Sequence, residues 1–227
     1  MRSAARVEAQ VTDPRLVEER REQIVRAAAK LFSEHGYYST TIQDIAREAD
    51  ISVGLIYQYF RDKDDVLFLT LQTVLETYEH EIPHALEGVE PPLERLCLAI
   101  EAYCRIVDRM REATVLTYRS TKSLRAERRK YVMEGETRTN RLLETCVRSC
   151  VSAGLMQRVN VDLLVYQYVH FAHAWALKQW AFRSHYSIDE YVKEGLHLLV
   201  EPFLTDKGRA SFSQMRRSRR VGRSADR

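Results

Sequence analysis

Glycine is scarce in this chain, with eight residues in 227, and proline is scarcer still, with five. After the Pro91-Pro92 pair no proline occurs until Pro202, so a long stretch contains almost nothing to stop a helix. The same shortage removes several kinds of chemistry. There is no Gly-rich loop to cradle a nucleotide phosphate, no HExxH pair for a catalytic zinc and no nucleophile elbow. Catalysis has little footing here, and neither a catalytic residue nor a cofactor is expected. His80 and His84, with Glu76, have metal-compatible helical spacing, but nothing else in the sequence asks for a metal, and none is expected.

Long apolar runs are also missing. None reaches the roughly 20 residues needed to cross a bilayer, and the first residues lack the apolar core of a secretory signal, so a cytoplasmic protein without membrane contact is expected. Cysteine amounts to four residues, Cys97 with Cys104 and Cys146 with Cys150, each pair on one face of a helix. Small core residues are the ordinary reading of such thiols, and a redox pair is the rival. A large charge excess is absent too. The net charge is +3, so any nucleic-acid footprint must be local.

What is present is a soluble-type composition, 45% hydrophobic and 30% charged, long enough for one large or two modest domains. Residues 1–18 are polar and aperiodic and read as a flexible arm. From about residue 17 the stripe Ile24, Ala27, Ala28, Leu31 and Phe32 marks a helix that ends at Gly36. Next, Thr41 is a good N-cap with Asp44 at the capping-box position, and Ile42, Ile45, Ala46 and Ala49 form a narrow apolar stripe. Asp50 tolerates a left-handed turn, and Ser52 caps a second short helix over about 53–59. In that helix Ile56 and Phe60 point inward, while Ser52, Val53, Tyr57, Gln58 and Tyr59 face out or flank a contact. Two short helices joined by a tight turn make a helix-turn-helix. The hydroxyls and Lys63 suit phosphate oxygens, whereas Gln58 and the Tyr57 ring suit base edges or a thymine methyl. Gly54 costs about 1 kcal/mol relative to Ala inside a helix, which implies close backbone approach, either to DNA or to the first helix.

The stretch from Ile24 to Phe68 resembles the amino-terminal domain of the TetR family of ligand-responsive transcriptional regulators. Ala27-Ala28-x-x-Leu31-Phe32, Gly36-Tyr37, Thr40-Thr41, Ile45-Ala46, Ala49, Ser52, Gly54, Ile56-Tyr57, Tyr59-Phe60, Lys63 and Leu67 carry the resemblance. One departure is Asp50, where the turn usually has glycine. The resemblance implies that Thr41, Gln43, Ser52, Val53, Tyr57, Gln58, Tyr59 and Lys63 touch DNA, mostly its phosphates, with base preference at Val53, Gly54 and Gln58.

Beyond Lys63 the scarcity of helix breakers makes the body all-α, so the whole reads as an amino-terminal three-helix head, residues 19–65 with its DNA-binding motif at 41–60, and a helical ligand-binding and dimerisation domain, residues 66–205. Helices are expected over about 64–81, 93–110, 113–123 and 126–153, then through 161–185, and last from a Ser187 cap with Glu190. The segment 161–185 is apolar on most faces and must be covered on all of them. Tyr166, His173, Ala176, Leu177 and Trp180 there, with Tyr191 and Leu199 of the last helix, are the expected homodimer interface, with an intramolecular core as the rival.

The family places its effector pocket in the body. Tyr103, Val107, Met110, Tyr118, Cys146, Phe171 and Trp175 are the expected lining, and Arg105 and Arg109, one turn apart, are cations for a carboxylate or phosphate. The carboxy-terminal half loosely resembles members that respond to fatty acids or acyl-CoA thioesters; a drug-like or aromatic effector is the other option. Residues 206–227 are basic and poor in apolar side chains and read as a disordered tail. The functional expectation is a homodimeric repressor released from a palindromic DNA operator by a small hydrophobic effector. The alternative is a small-molecule-binding enzyme or carrier with an incidental helix-turn-helix.

Overall fold

The computed structural model describes residues 7–225, with side chains through Arg217. Eleven α-helices follow one another among these residues: α1 Pro14–His35, α2 Ile42–Glu48, α3 Val53–Tyr59, α4 Lys63–Ala85, α5 Pro92–Arg109, α6 Arg111–Ser120, α7 Ala126–Ser152, α8 Val161–Leu177, α9 Gln179–Phe182, α10 Ile188–Leu199 and α11 Asp206–Ala225. No β-strand occurs among the described residues; Met156 and Leu204 form an isolated bridge. The all-α expectation holds.

Local chemistry fixes several helix starts. Asp13 accepts from the backbone N–H of Arg15 and caps α1 just before Pro14, while Ser187 and Glu190 form a reciprocal capping box on α10. Three boundaries differ from the sequence reading. Helix α4 runs past Pro83 to Ala85, because a proline in the last turn sacrifices little of the hydrogen-bond ladder; Gly88, at φ 71°, lies in the turn beyond. The segment expected as one helix through residue 185 breaks at Lys178 (φ −120°, ψ 31°) and restarts as the four-residue α9. The expected disordered tail, 206–227, is instead helix α11 over its described residues, with 226–227 lying outside them. Its hidden anchors are Phe212, which is buried, and Gly208, where an added Cβ would sit 1.9 Å from the Leu155 carbonyl oxygen. Only glycine permits that approach.

Residues 1–6 of the expected arm lie outside the described residues; of the remainder, 14–18 already belong to α1, and 7–13 have more structure than their polarity suggests. Val7 is buried, its carbonyl accepts from the Arg21 guanidinium at 2.7 Å, and the Gln10 backbone N–H donates to the Gln58 carbonyl at 2.7 Å. The arm is thereby pinned near the end of α3.

Packing divides the chain into two compact units. Among the described residues, one comprises the chain through Thr77 together with Met110–Glu136; the other comprises Tyr78–Arg109 and the residues from Thr137 on. The division does not follow the expected boundary at 65/66, because α6 and the start of α7 pack with the head. In the first unit α1 is central, touching α2, α3 and α6 around Phe32, Ile45, Ile56, Phe60 and Phe68. In the second, α5 is central, touching α8, α10 and α11. Leu96, Cys97, Ile100 and Cys104 of α5 and Val165, Tyr168 and Ala172 of α8 are buried there.

Candidate nucleic-acid interface and effector unit

The helix-turn-helix is built by short-range bonds that the sequence spells out. Thr41 Oγ1 accepts from the Asp44 N–H at 3.1 Å, and Asp44 Oδ2 accepts from the Thr41 N–H at 3.0 Å, so the short aspartate does close a capping box. The Thr41 hydroxyl, which donates to Oδ2 at 2.6 Å, and that backbone bond hold the Asp44 carboxyl below its usual pKa. At the turn Asp50 takes φ 53°, the left-handed region where Asp is among the more tolerated non-glycine residues. Ser52 Oγ then accepts from the Leu55 N–H at 3.1 Å. The turn is tied to α1 by the Gln23 side-chain amide, which donates to the Ala49 carbonyl at 2.7 Å. Caps and backbone bonds therefore set the register of the two short helices, and the outer side chains within the helices are left free of that duty.

The outer positions are Thr41, Gln43, Ser52, Gly54, Tyr57 and Gln58, all exposed, with Val53 half-buried beside them. Gly54 settles one open question. The nearest atom to a Cβ built there is Ser52 Oγ at 4.0 Å, so close approach to the first helix is not what the glycine serves. The face of α3 around it is open.

Two expected contacts are placed elsewhere. Tyr59 is 1% exposed and packs in the head core with Ile56 and Phe60, so its ring does not face outward. The spacing of 56, 59 and 60 is that of one buried stripe, a signal the sequence did contain. Lys63 is half-buried rather than a free cation. Its Nζ donates to the carbonyls of Tyr37 at 2.8 Å, Tyr38 at 3.3 Å and Thr40 at 2.8 Å, and it lies 4.6 Å from the centroid of the Tyr37 ring. An ammonium has three protons, and all three are engaged. Burial pushes its pKa down.

Sequence reading missed a charge cluster at the base of α4. Arg128 of α7, 7% exposed, donates to both Asp64 and Asp65 and lies over the Phe68 ring. Arg125 reaches Asp62 at 2.6 Å, and the Arg61 backbone N–H donates to Asp65 at 2.8 Å. Burial works to lower the Arg128 pKa, but its bonds to Asp65 and Asp64 raise it on balance. The cluster joins the starts of α4 and α7, and each of these helices continues along the chain into the second unit.

In the second unit, Tyr103, Val107, Cys146 and Trp175 are buried and Phe171 is half-buried. Tyr103 stacks on Tyr78 at 4.3 Å and hydrogen-bonds His173 Nε2 at 3.2 Å. Burial drives the His173 pKa down to about 4, so the ring is neutral near pH 7. Trp175 Nε1 donates to Asp108 at 2.7 Å, and its ring packs with Phe182 and Tyr191. Met110 and Tyr118 are not part of this grouping; both belong to the first unit, and Tyr118 is 48% exposed. The two arginines are already paired, Arg105 with Glu101 and Asp189 at 2.8 Å each, and Arg109 with Glu81. Cys104 and Cys150 are buried, and burial pushes each thiol to about 12, which makes them inert core residues rather than reactive thiolates.

The expected interface residues divide in the same way. Trp180 and Tyr166 are exposed, at 80% and 50%, and Leu163 and Leu198 join them at 63% and 65%. Ala176 and Tyr191 are buried within the chain itself, where Tyr191 donates to the Phe171 carbonyl at 2.7 Å. His173, Leu177 and Leu199 are half-buried. No described helix is long and apolar enough to cross a membrane, and no described cluster of His, Cys, Asp or Glu could hold a metal ion.

Comparison with known proteins bears on both units. Residues 24–69 match the family model described as bacterial regulatory proteins, tetR family, and residues 89–177 match the model described as the tetracyclin repressor-like C-terminal domain. The chain is 63% identical over 218 residues to the HTH-type transcriptional regulator HbdR of Aromatoleum sp. (strain CIB), an alignment covering 96% of this chain and 95% of that one. Among solved structures, the TetR family regulator PfmR from Thermus thermophilus superposes with a TM-score of 0.70 at 25% identity, covering 78% of this chain and 97% of PfmR. AibR, solved in complex with isovaleryl coenzyme A and operator DNA, has the same fold, with a TM-score of 0.70 at 18% identity over 79% of this chain and 97% of AibR.

Proposed function

The chain belongs to the TetR family of transcriptional regulators, and from that premise we propose that it is a cytoplasmic homodimeric repressor that leaves a palindromic operator when a small hydrophobic effector, a fatty acyl-CoA or fatty acid, binds its body. The observation that carries the DNA-reading part is the open face of α3, where Gly54 meets empty space and the Tyr57 and Gln58 side chains are exposed. Residues 19–65 then do the reading, with the motif at 41–60, and residues 66–205 supply effector binding and pairing.

The paired state is supported by a set of large apolar side chains left in water. Leu163, Tyr166, Trp180 and Leu198 are all at least half exposed on α8–α10, and exposed apolar surface, where it gathers, marks an interaction surface. A second copy would cover it symmetrically. The effector class is supported by the apolar, hydroxyl- and thiol-bearing interior around Tyr103, Tyr168, Cys97 and Cys150, and by the bound isovaleryl coenzyme A in the related fold of AibR. Ligand-driven displacement of α4 would change the spacing of the two reading heads, which must lie about 34–36 Å apart, or a multiple of it, to meet successive major grooves. A coupling of roughly 1–3 kcal/mol suffices.

The test begins with duplexes selected by the purified protein from a random library. An inverted repeat should emerge, and acyl-CoA thioesters of increasing chain length should then release the protein from it in a fluorescence-anisotropy titration. Failure to enrich any sequence would sink the DNA-reading assignment. Turnover of the thioester without release would favour the enzyme or carrier alternative.

A further inference from the structure

The head faces an electrostatic difficulty. Residues 19–65 contain seven Lys and Arg against nine Asp and Glu, a formal charge of −2, and α3 contains no charged residue. Most nucleic-acid affinity comes from meeting phosphates, yet several cations here are already engaged. Lys63 is caged by three carbonyls, Lys30 pairs with Glu48 at 2.7 Å, Arg61 with Glu8, and Arg47 with Asp44 at 3.5 Å. Neutral donors must supply much of the grip.

One neutral donor stands out. Tyr38 is 81% exposed although it lies in the short connection between α1 and α2. Its neighbour Tyr37 does the packing there, edge-on to Phe32 at 5.4 Å, so the fold does not need a second aromatic. Yet the Tyr38 ring is not loose. It lies edge-on to Tyr37 at 5.3 Å, Tyr37 lies under the Lys63 ammonium, and Lys63 grips the Tyr38 carbonyl itself. A large, half-apolar ring is thus oriented from two sides and then left in water, three residues before the exposed Thr41 of the reading face.

We propose that Tyr38 is a DNA-backbone contact whose phenolic hydroxyl donates to a phosphate oxygen beside the half-site read by α3, and that Lys63 is the residue that positions its ring. The inference rests on the DNA-reading function proposed above. It deepens that reading by moving one contact out of the helix-turn-helix and by giving Lys63 an indirect task. A tyrosine hydroxyl on a charged oxygen is the stronger kind of hydrogen bond, and a phosphate contact carries no base information.

The experiment measures Tyr38→Phe, Lys63→Met and the double variant against a duplex selected by the wild-type protein and against poly(dI-dC), by fluorescence anisotropy at fixed salt. Tyr38→Phe should weaken binding about tenfold on both duplexes, because a phosphate is common to them, with its melting temperature unchanged. Lys63→Met should weaken binding as well, and adding Tyr38→Phe to it should cost less than tenfold, since the ring is already misplaced. Equal binding by Tyr38→Phe and wild type overturns the contact. A loss confined to the selected duplex overturns the phosphate assignment, and fully multiplicative losses overturn the positioning role of Lys63. If the wild-type protein enriches no duplex at all, the DNA-reading function falls first, and that outcome is distinct from the others.

Discussion

Replacing Arg128 with methionine would strand two buried carboxylates. The side chains concerned are 8% exposed for Arg128, 11% for Asp64 and 3% for Asp65, so little water is available to take over from the guanidinium. Removing one partner of such a cluster costs about 3–5 kcal/mol, because the opposite charge stays behind uncompensated. Two features argue for the lower end of that range. Asp65 keeps the bond from the Arg61 N–H, and Arg125 Nε stands 3.8 Å from Asp64. Taking about 3 kcal/mol, and about 2–4 °C per kcal/mol for a chain of this size, the melting temperature of Arg128→Met should fall by about 6–12 °C. Thermal unfolding followed by circular dichroism measures it. Adding Asp64→Asn and Asp65→Asn to that variant should recover more than half of the loss, since amides need no countercharge. A melting temperature within about 2 °C of wild type would refute the reasoning. A triple variant no better than Arg128→Met would instead assign the loss to packing on the Phe68 ring.

Two other expectations are simpler. Gly54→Ala should leave the melting temperature unchanged or raise it, by up to about 1 kcal/mol in stability, because the methyl group meets open space and alanine is the better helix former; the same variant should bind selected DNA more weakly, and undiminished binding would show that nothing approaches that face closely. For His173 the folded pKa of about 4 lies below the ordinary value of 6.5, so the unfolded chain binds the extra proton and stability is lost as pH falls from 6.5 toward 4. Between pH 6.5 and 5 the loss should reach about 1.5 kcal/mol, and urea titrations of wild type and His173→Gln at the two pH values should differ by that amount, an equal pH dependence counting against it.

The parts of this protein that were legible in the sequence are those whose cause lies within a few residues. Thr41 and Asp44, Ser187 and Glu190, and the left-handed Asp50 are local arrangements between a side chain and its neighbouring backbone, and each occurs where the residue types demand it. Tyr59 was legible too, but the pull of an aromatic toward a DNA face obscured its place in the 56, 59, 60 stripe. The rest depended on partners far along the chain. Nothing near Arg128 reveals that it closes on carboxylates 63 and 64 positions earlier. Likewise a lysine at the start of a helix looks like a free cation until the three carbonyls around Lys63 are in view. The α11 segment misled for the opposite reason. Its polar composition is real, and two residues, Gly208 and Phe212, suffice to dock it.

The absence of charge on α3 bears on why the proposed repressor should work in pairs. A seven-residue helix without charge, backed by cations that are largely engaged within the fold, offers few counterion-releasing contacts to a duplex. Each head alone should therefore bind weakly. Linking two heads turns the second encounter into an intramolecular one, which raises overall affinity by orders of magnitude without a new contact and loses that gain when the spacing is wrong. Weak heads also make release easy. In the mechanism proposed above, a small movement of α4 need not break any protein–DNA contact outright, because it only has to spoil the geometry that lets both heads engage at once. A head rich in free lysines and arginines would hold non-specifically after the spacing was lost. On the proposed mechanism, low charge on α3 and regulation through spacing would belong to the same design.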